Sequence, residues 1–220
     1  MKIAVLVAME QEMQRIAGLS ELCRESGAQV LCVRTGIGKV NAARAAAEVI
    51  LTQKPDAVIN SGCAGSMKAC VKQTDWVVGN ECAWHDVWCG EPGPRGVVEG
   101  EPRRFACDPR LLAAARRAAE ASGARAHDGL LVSGDQFFVS LEEDRRILGL
   151  YPDALAADME SAAVAQVCRH YGVPFLSVRI ISDEHLTEEG QKATYNDFWS
   201  TFGQAECEFL KNLIISLQDE

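Results

Sequence analysis

Hydrophobic and polar residues follow one another in a regular order along the chain, and this order predicts strands that are followed by helices. The segment Lys2–Ala8 is an apolar run of the length of a buried strand. In the more polar segment that follows, apolar side chains recur at Met9, Met13 and Ile16, which is the spacing of one helical face. The chain is therefore predicted to open with a strand and a helix.

The next part of the chain repeats this order, with glycines at the turns. A strand is predicted at Gln29–Thr35, an alanine-rich helix follows it, and Pro55 ends that helix. A second strand, Asp56–Asn60, is predicted to end at the glycine-rich turn Gly62–Gly65. Strand, helix and strand in this order form a βαβ unit. Glycines after two successive strands indicate either a backbone that approaches a ligand closely or simple tight turns.

Later segments continue the alternation of strands and helices. Strands are predicted at Asp75–Ala83 and Gly129–Val132, and amphipathic helices at Pro109–Ser122 and Asn196–Leu217. Residues 87–102 contain glycines, prolines and charged side chains, which is typical of a loop that forms a lid or a subunit interface.

The segment Ala154–Asp183 brings acidic residues to the two ends of one helix–strand pair. Its first half has the small-residue pattern of a helix that ends at Gly172, and its second half reads as a short β-branched strand. About 13 helical residues rise about 20 Å, and about eight extended residues return about 26 Å in the opposite direction. Asp183 is therefore predicted to lie near Asp158 and Glu160, at the sheet edge where ligands bind in open α/β folds.

Arg179 belongs to the same apolar strand, two residues before Asp183. Strand alternation predicts that both side chains lie on one face. A buried guanidinium without a carboxylate costs roughly several kcal/mol, so we expect an acidic partner for it. Two interpretations remain open at this point: a structural ion pair that joins helix and strand, or part of a catalytic site.

Composition limits the class of protein. With 220 residues, of which 48% are hydrophobic and 24% charged, the chain has enough apolar surface for one sizeable core, and a single domain spanning residues 1–220 is expected. The net charge of −9 and the pI near 5.0 argue against nucleic-acid binding. The apolar run at the start is too short for a membrane span and lacks the pattern of a signal peptide, so we expect a cytoplasmic protein without membrane contact.

The cysteine, histidine and glycine patterns predict no disulfide, metal ion or cofactor. The nine cysteines are odd in number, include no CxxC pair and mostly lie among apolar residues, as do reduced thiols in cytosolic proteins. The four histidines are too scattered to predict a metal site. The segment Gly36–Lys39 lacks the full spacing of a dinucleotide fingerprint or a P-loop.

Six ordered motifs go beyond these general patterns. The longest joins DMESAAVAQVC at Asp158–Cys168 to VPFLSVRIISD at Val173–Asp183. The others are AME-E at Ala8–Glu12, GIGKVNAA at Gly36–Ala43, SGCAG at Ser61–Gly65, HD at His85 and Asp86, and VSGDQF at Val132–Phe137. With these motifs the chain resembles, from end to end, the 5′-methylthioadenosine/S-adenosylhomocysteine nucleosidases of the purine nucleoside phosphorylase superfamily. The resemblance implies a nucleoside phosphorylase-like three-layer α/β/α fold with a mixed, partly barrel-like central sheet, and a homodimer in the cytoplasm.

The resemblance also implies catalytic roles at matching positions. Asp183 matches the general acid that protonates the purine at N7, which is needed because a purine leaves poorly as an anion. Glu12 matches the base that activates the attacking water, and Arg179 matches a residue that helps to position this water. Glu160 matches the residue that holds the ribose hydroxyls, with Met159 packed against the sugar. Carboxylates near the ribose favour the positive charge that develops as the C1′–N9 bond lengthens.

Aromatic side chains are implied for the base and the 5′ group. Phe137 would stack on or beside the purine, the Phe138 backbone would read the purine edge, and Tyr195 would supply an apolar wall. From the residues alone, an aromatic pair next to a glycine turn is more typical of a core. The other substrate-binding positions implied by the resemblance are Met9, Cys63, Ala64, Gly65 and Ser182.

The acceptor of the ribosyl group follows from the segment after the first strand. Phosphorylases of the superfamily need a glycine-rich turn and an arginine there to hold phosphate. This chain has Ala8–Glu12 instead, with acids that would repel phosphate, so hydrolysis of the N-glycosidic bond of a 5′-thio-substituted adenosine is expected. The alternatives that stay open are a nucleosidase for a related nucleoside such as futalosine, a purine nucleoside phosphorylase, and a non-catalytic nucleoside-binding protein.

Two single positions and one segment depart from the family pattern. Cys63 stands where a serine is common, which weakens a hydrogen bond near the water. Asp158 is one methylene shorter than the usual glutamate. Within Val87–Pro102, Arg95 and Glu99 stand where apolar or aromatic residues of the 5′ pocket are expected, so the chemistry at C1′ is better specified than the 5′ group.

Overall fold

The computed structural model describes residues 1–137, 140–184, 195, 198, 199 and 205–218, and within them the chain alternates strands and helices. The strands are β1 (Lys2–Val7), β2 (Gln29–Arg34), β3 (Ala57–Ser66), β4 (Trp76–Trp84), β5 (Phe105–Ala106), β6 (Ala126–Ser133), β7 (Ala154–Asp158) and β8 (Phe175–Glu184). The helices are α1 (Glu10–Arg15), α2 (Leu19–Leu22), α3 (Lys39–Gln53), α4 (Pro109–Ser122), α5 (Leu141–Leu150), α6 (Ser161–Tyr171) and α7 (Ala205–Ser216).

Five of the strands pair in a closed ring. β3 pairs antiparallel with β7 and parallel with β8. β7 pairs parallel with β6, β6 pairs parallel with β4, and β4 pairs antiparallel with β8, which completes the ring. β1 and β2 extend the sheet from β3, and β5 lies beside β4. The predicted α/β fold with a mixed, partly barrel-like central sheet is confirmed.

Helices pack against this sheet through small apolar side chains. α3 packs on α6, and α4 packs on α7. α4 has the predicted bounds because its ends are specified locally. The Asp108 carboxylate accepts hydrogen bonds from the amides of Arg110 and Leu111, Pro109 occupies the first turn, and Gly123 ends the helix in the left-handed conformation.

Two predicted elements were wrong in their extent. β3 does not end before the turn predicted at Gly62–Gly65, because β8 pairs with it as far as Ser66. Ala154–Asp158 is not the start of a helix but strand β7, which pairs with β3 and β6. α6 begins only at Ser161 and has 11 residues. In both places the inter-strand hydrogen bonds outweigh the intrinsic preferences of glycine and alanine.

β8 contains a bulge near its end. Ala64 of β3 pairs with Ile181, but Gly65 pairs with Asp183, so Ser182 is an extra residue on β8. The predicted shared face of Arg179 and Asp183 assumed regular alternation, and the bulge between them breaks this alternation.

The remaining segments include two helices that the sequence analysis did not predict, α2 and α5. Residues 87–102 contain neither helix nor strand, as predicted. Of the predicted helix Asn196–Leu217, the structure describes Phe198, Trp199 and the segment that contains α7. All nine cysteines lie within the described residues and are free. None of the helices described here has the length and apolar character needed to cross a membrane.

Candidate active site

A cavity of about 470 Å³ opens where the ends of β1, β3, β7 and β8 meet. The predicted site residues that line it are Met9, Glu12, Cys63, Ala64, Gly65, Phe137, Met159, Glu160, Ser182, Asp183 and Tyr195. The lining residues that the sequence analysis did not assign to substrate are Ala8, Ile37, Gln136, Ala157 and Asp158. Phe138 lies outside the described residues, and Arg179 is buried behind the cavity wall. Glu12, Glu160 and Asp183, which are far apart in sequence, therefore share one cavity.

Glu12 is the buried acid of α1, whereas the neighbouring Glu10 is exposed and pairs with Arg34. Glu12 Oε2 accepts hydrogen bonds from the backbone amides of Ala8 and Met9, both at 2.8 Å. Its Oε1 accepts a hydrogen bond from the Cys63 amide at 3.0 Å. Two separate chain segments thus hold this carboxylate at the edge of the cavity.

Gly62 allows Glu12 to lie against β3. Its φ of 142° is a conformation that favours glycine. A Cβ atom at this position would lie 2.7 Å from Arg179 Nη1 and 2.9 Å from Glu12 Cδ. The missing side chain therefore leaves the space in which the Glu12 carboxylate and the Arg179 guanidinium approach each other.

Arg179 is fully buried and has the acidic partner that its position required. Its Nε lies 2.8 Å from Asp158 Oδ2, and its Nη2 lies 3.7 Å from Glu160 Oε2. The guanidinium also donates to the Asn60 side chain and to the Ser161 hydroxyl. Although Asp158 is one methylene shorter than glutamate, it reaches the guanidinium. Arg179 thus joins β8 to β3 and to the junction of β7 and α6.

Glu160 lies at the amino end of α6 and is 5% exposed. Its Oε1 accepts a hydrogen bond from the Gly38 amide at 2.9 Å, across 122 positions of sequence. Burial raises the pKa of the Glu160 carboxyl to about 7; the Arg179 guanidinium opposes this rise, and the Asp158 carboxylate adds to it. The glycine turn that the sequence analysis noted thus contributes a backbone donor to the site.

Asp183 lies at the end of β8, next to the bulge, and is 2% exposed. Its Oδ1 accepts a hydrogen bond from the Ser182 hydroxyl at 2.6 Å. The loop before β4 fixes both neighbours of Asp183: the Gln73 side chain donates to the Ser182 carbonyl at 2.8 Å, and the Gln73 amide donates to Glu184 at 3.1 Å. Lys72 also pairs with Glu184 at 2.8 Å. These contacts therefore hold the Asp183 carboxyl firmly at the cavity wall.

Apolar and aromatic side chains form the rest of the cavity. Phe137 is 53% exposed, so it does not belong to the core. Its ring meets the Tyr195 ring edge to face, with 5.4 Å between the centroids. The Tyr195 hydroxyl lies 3.8 Å from the Met9 sulfur. Burial and the nearby Glu12 charge raise the pKa of the Cys63 thiol well above its usual range, so Cys63 is a neutral part of the wall.

Comparison with known proteins places this geometry in a family. The model of the phosphorylase superfamily matches residues 2–217. The 5′-methylthioadenosine/S-adenosylhomocysteine nucleosidase of Actinobacillus succinogenes is 34% identical, over 99% of this chain and 100% of its own.

Solved structures give the same result. The nucleosidase of that name from Neisseria meningitidis, in complex with methylthio-immucillin-A, has a TM-score of 0.89 and 34% identity, covering 98% of this chain and 99% of that one. The futalosine hydrolase of Helicobacter pylori has a TM-score of 0.87 and 27% identity, covering 97% of each chain. The nucleoside phosphorylase-like fold is confirmed, and the chain belongs to the 5′-methylthioadenosine/S-adenosylhomocysteine nucleosidase family within the phosphorylase superfamily.

Proposed function

We propose that this protein hydrolyses the N-glycosidic bond of a 5′-substituted adenine nucleoside, methylthioadenosine or S-adenosylhomocysteine, to adenine and the 5′-thioribose. The observation that carries the proposal is that Glu12, Glu160 and Asp183 line one cavity. The relatives of this chain are named after the same substrates. The reaction needs a proton for the leaving base, a group that activates water, and a group that holds the ribose, and the three acids are of the right type for these roles.

Asp183 donates the proton to the leaving purine at N7. An adenine anion is a poor leaving group, so protonation lowers the barrier to cleavage of the C1′–N9 bond. The Ser182 hydroxyl at 2.6 Å and the Gln73 contacts keep the Asp183 carboxyl at the wall against which the base binds. Phe137, exposed in the cavity mouth, stacks on or beside the purine ring.

Glu12 accepts the proton of the attacking water. A carboxylate has roughly four acceptor sites, and the amides of Ala8, Met9 and Cys63 occupy three of them, so one remains for the water. Because these donors are backbone groups, the carboxylate keeps its orientation while the ligand binds.

Glu160 accepts hydrogen bonds from the ribose hydroxyls, and Met159 packs against the sugar. The Glu160 carboxylate also lies beside the positive charge that develops on the ribose, and it stabilises this charge. Arg179, which the resemblance implied as a residue that helps to position the water, does not line the cavity. It acts from behind the wall, where it holds Asp158 and Glu160 in place and compensates their charge.

Water rather than phosphate is the acceptor. None of the described residues that line the cavity is an arginine or a lysine, whereas four of them are acids. Such a cavity repels a phosphate dianion. A futalosine-type nucleoside is the second candidate substrate, favoured by the structural match to a futalosine hydrolase.

The setting of the reaction is inferred from the family resemblance. The chain forms one domain over residues 1–220, works as a homodimer in the cytoplasm, and contributes to methionine salvage by removing methylthioadenosine.

The test is a panel of nucleosides that differ at the 5′ position and in the base, with and without phosphate. Chromatography should detect free adenine from methylthioadenosine or S-adenosylhomocysteine. For each substrate the rate of release should be the same with and without phosphate. Release that strictly requires phosphate, with ribose 1-phosphate as product, would establish a phosphorylase. Faster release of the base from a futalosine-type nucleoside would change the substrate. Binding in calorimetry without free base after long incubation would establish a binding protein.

Gly62→Ala is expected to lower kcat for the preferred nucleoside by about 100-fold, since displacement of a catalytic group by about 1 Å has effects of this order. The new methyl group would displace the Glu12 carboxylate and Arg179 Nη1. Steady-state kinetics measure the effect. Gly27→Ala is the matched control, because Gly27 also has positive φ (78°) but has no atom within 4 Å of an added Cβ. Equal kinetics for the two variants would contradict the assigned position of Glu12.

A further inference from the structure

One buried acid next to the site has no role in the reaction described above. Glu206 lies in the first turn of α7 and is 1% exposed. Its Oε1 accepts a hydrogen bond from the Ser61 hydroxyl at 2.8 Å, and Ser61 itself is fully buried. Glu206 does not line the cavity. A buried carboxyl needs a structural or functional reason, because burial disfavours its charged form.

Ser61 connects Glu206 to two charged groups of the site. The Ser61 carbonyl accepts a hydrogen bond from Arg179 Nη1 at 3.2 Å. Two residues further along β3, the Cys63 amide donates to Glu12 at 3.0 Å. The Ser61–Cys63 segment thus contacts Glu206 on one side and holds Arg179 and Glu12 on the other. A change in the hydrogen bond between Ser61 and Glu206 therefore reaches both groups.

Burial, modified by the neighbouring charges, favours a change in the ionisation of Glu206 near neutral pH. Among the described residues, the charged groups that act on it are Glu12 and Arg15 of α1 and Arg179 of β8. The Cys207 thiol lies next to it on α7. Burial and the Glu12 charge raise the pKa of the Glu206 carboxyl to about 7, and the Ser61 hydrogen bond and the two arginines oppose this rise.

We propose that Glu206 is a positioning residue for the hydrolysis, and that its ionised carboxylate orients Ser61 and so keeps Glu12 and Arg179 in the active arrangement. This inference rests on the proposed function. The ionised form is the active one for two reasons. A carboxylate accepts the Ser61 hydrogen bond more strongly than a neutral acid does, and its negative charge favours the cationic ribose of the transition state.

The test is the pH dependence of kcat for the preferred nucleoside, in the wild type and in Glu206→Gln. Wild-type kcat should rise about three- to tenfold as Glu206 ionises near pH 7, and Glu206→Gln should stay at the low-pH value. KM should change little, because Glu206 does not touch the ligand. Glu208→Gln, exposed on the same helical turn, is the matched control and should keep the wild-type profile. A rise that persists unchanged in Glu206→Gln would assign it to another group, such as Glu160, and overturn the proposal.

Ser61→Ala gives a second kinetic test if Glu206→Gln does not fold. It removes the hydroxyl that Glu206 orients and, with it, a hydrogen bond that favours the ionised form of Glu206, so the rise in kcat should become smaller and move to higher pH. A rise that stays at the wild-type pH would overturn the proposal independently of the first variant.

Stability measurements test the ionisation of Glu206 by itself, because they need no turnover. The pKa of Glu206 is raised from 4.5 to about 7 in the folded state, so the folded state holds this proton more tightly than the unfolded state. The stabilisation is complete below pH 4.5 and is lost as the pH rises through 7. Urea unfolding should therefore show a smaller loss of stability with rising pH in Glu206→Gln than in the wild type.

The two kinds of measurement distinguish the possible failures. Nucleoside hydrolysis with equal pH profiles in the wild type and Glu206→Gln overturns the role of Glu206 and leaves the proposed function intact. No hydrolysis of any nucleoside overturns both, even if the urea measurements show that Glu206 ionises near pH 7.

Discussion

Asp183→Asn is expected to lower kcat for adenine release from methylthioadenosine by about 100- to 10,000-fold, which is the range of a lost general acid. An asparagine amide keeps the size of the side chain and can still accept the Ser182 hydrogen bond, but its N–H groups are not acidic enough to transfer a proton to N7. Substrate affinity should change little, because the ribose and the 5′ group keep their contacts. Single-turnover kinetics with chromatographic detection of adenine, together with calorimetry for binding, measure the two effects separately.

Asp153→Asn is the matched control for this experiment. Asp153 lies on the surface, where it pairs with Arg104. The same change from aspartate to asparagine at this position should leave kcat unchanged. Circular dichroism should show that both variants keep the native fold. Turnover of Asp183→Asn at close to the wild-type rate would reject the assignment of the acid, whatever the state of the rest of the cavity.

Asp158→Asn is expected to lower the free energy of unfolding by about 3 kcal/mol, because it removes one partner of a buried ion pair. The side chains of Asp158 and Arg179 are each 1% exposed, and the carboxylate lies 2.8 Å from Nε. The asparagine can still accept from the amides of Glu160 and Ser161 through Oδ1. The loss falls on Oδ2, where the new NH2 group would face Arg179 Nε and the Ser161 hydroxyl, which are both donors. Chemical denaturation with a global fit for the slope measures the change.

Glu48→Gln is the matched control for the ion pair. Glu48 pairs with Arg44 on the surface of α3, where both side chains are more than half exposed, and its loss should cost less than about 0.5 kcal/mol. If Asp158→Asn were no more destabilising than this surface variant, Glu160 and Asn60 would suffice to stabilise the Arg179 guanidinium. The assignment of Asp158 as the main partner of Arg179 would then be wrong.

Features that depend on short stretches of sequence were predictable. The bounds of α4 were predicted from its amphipathic pattern, and the structure shows Asp108 and Gly123 capping the two ends locally. The approach of Asp183 to Glu160 followed from the lengths of one helix and one strand, although the helix is shorter than predicted and β7 precedes it. In each case the information lay within about 30 residues of chain.

Features that depend on pairing across the fold were not predictable in the same way. Ala154–Asp158 has the composition of a helix and becomes a strand because β3 and β6 lie on either side of it. Helical geometry alone did not distinguish Glu10 from Glu12, and the choice is made by the Cys63 amide, 51 positions away. The contact between Ser61 and Glu206 spans 145 positions and has no motif that marks it.

The closed ring of β3, β7, β6, β4 and β8 has a consequence for how such an enzyme can diverge. A strand inside a closed circuit has partners on both sides, so it cannot slide or gain length without breaking register with two neighbours. Asp158 of β7, and Arg179 and Asp183 of β8, are therefore difficult to relocate. Chain outside the circuit, such as residues 87–102, which contain neither helix nor strand, can change length and composition without breaking the register of these strands.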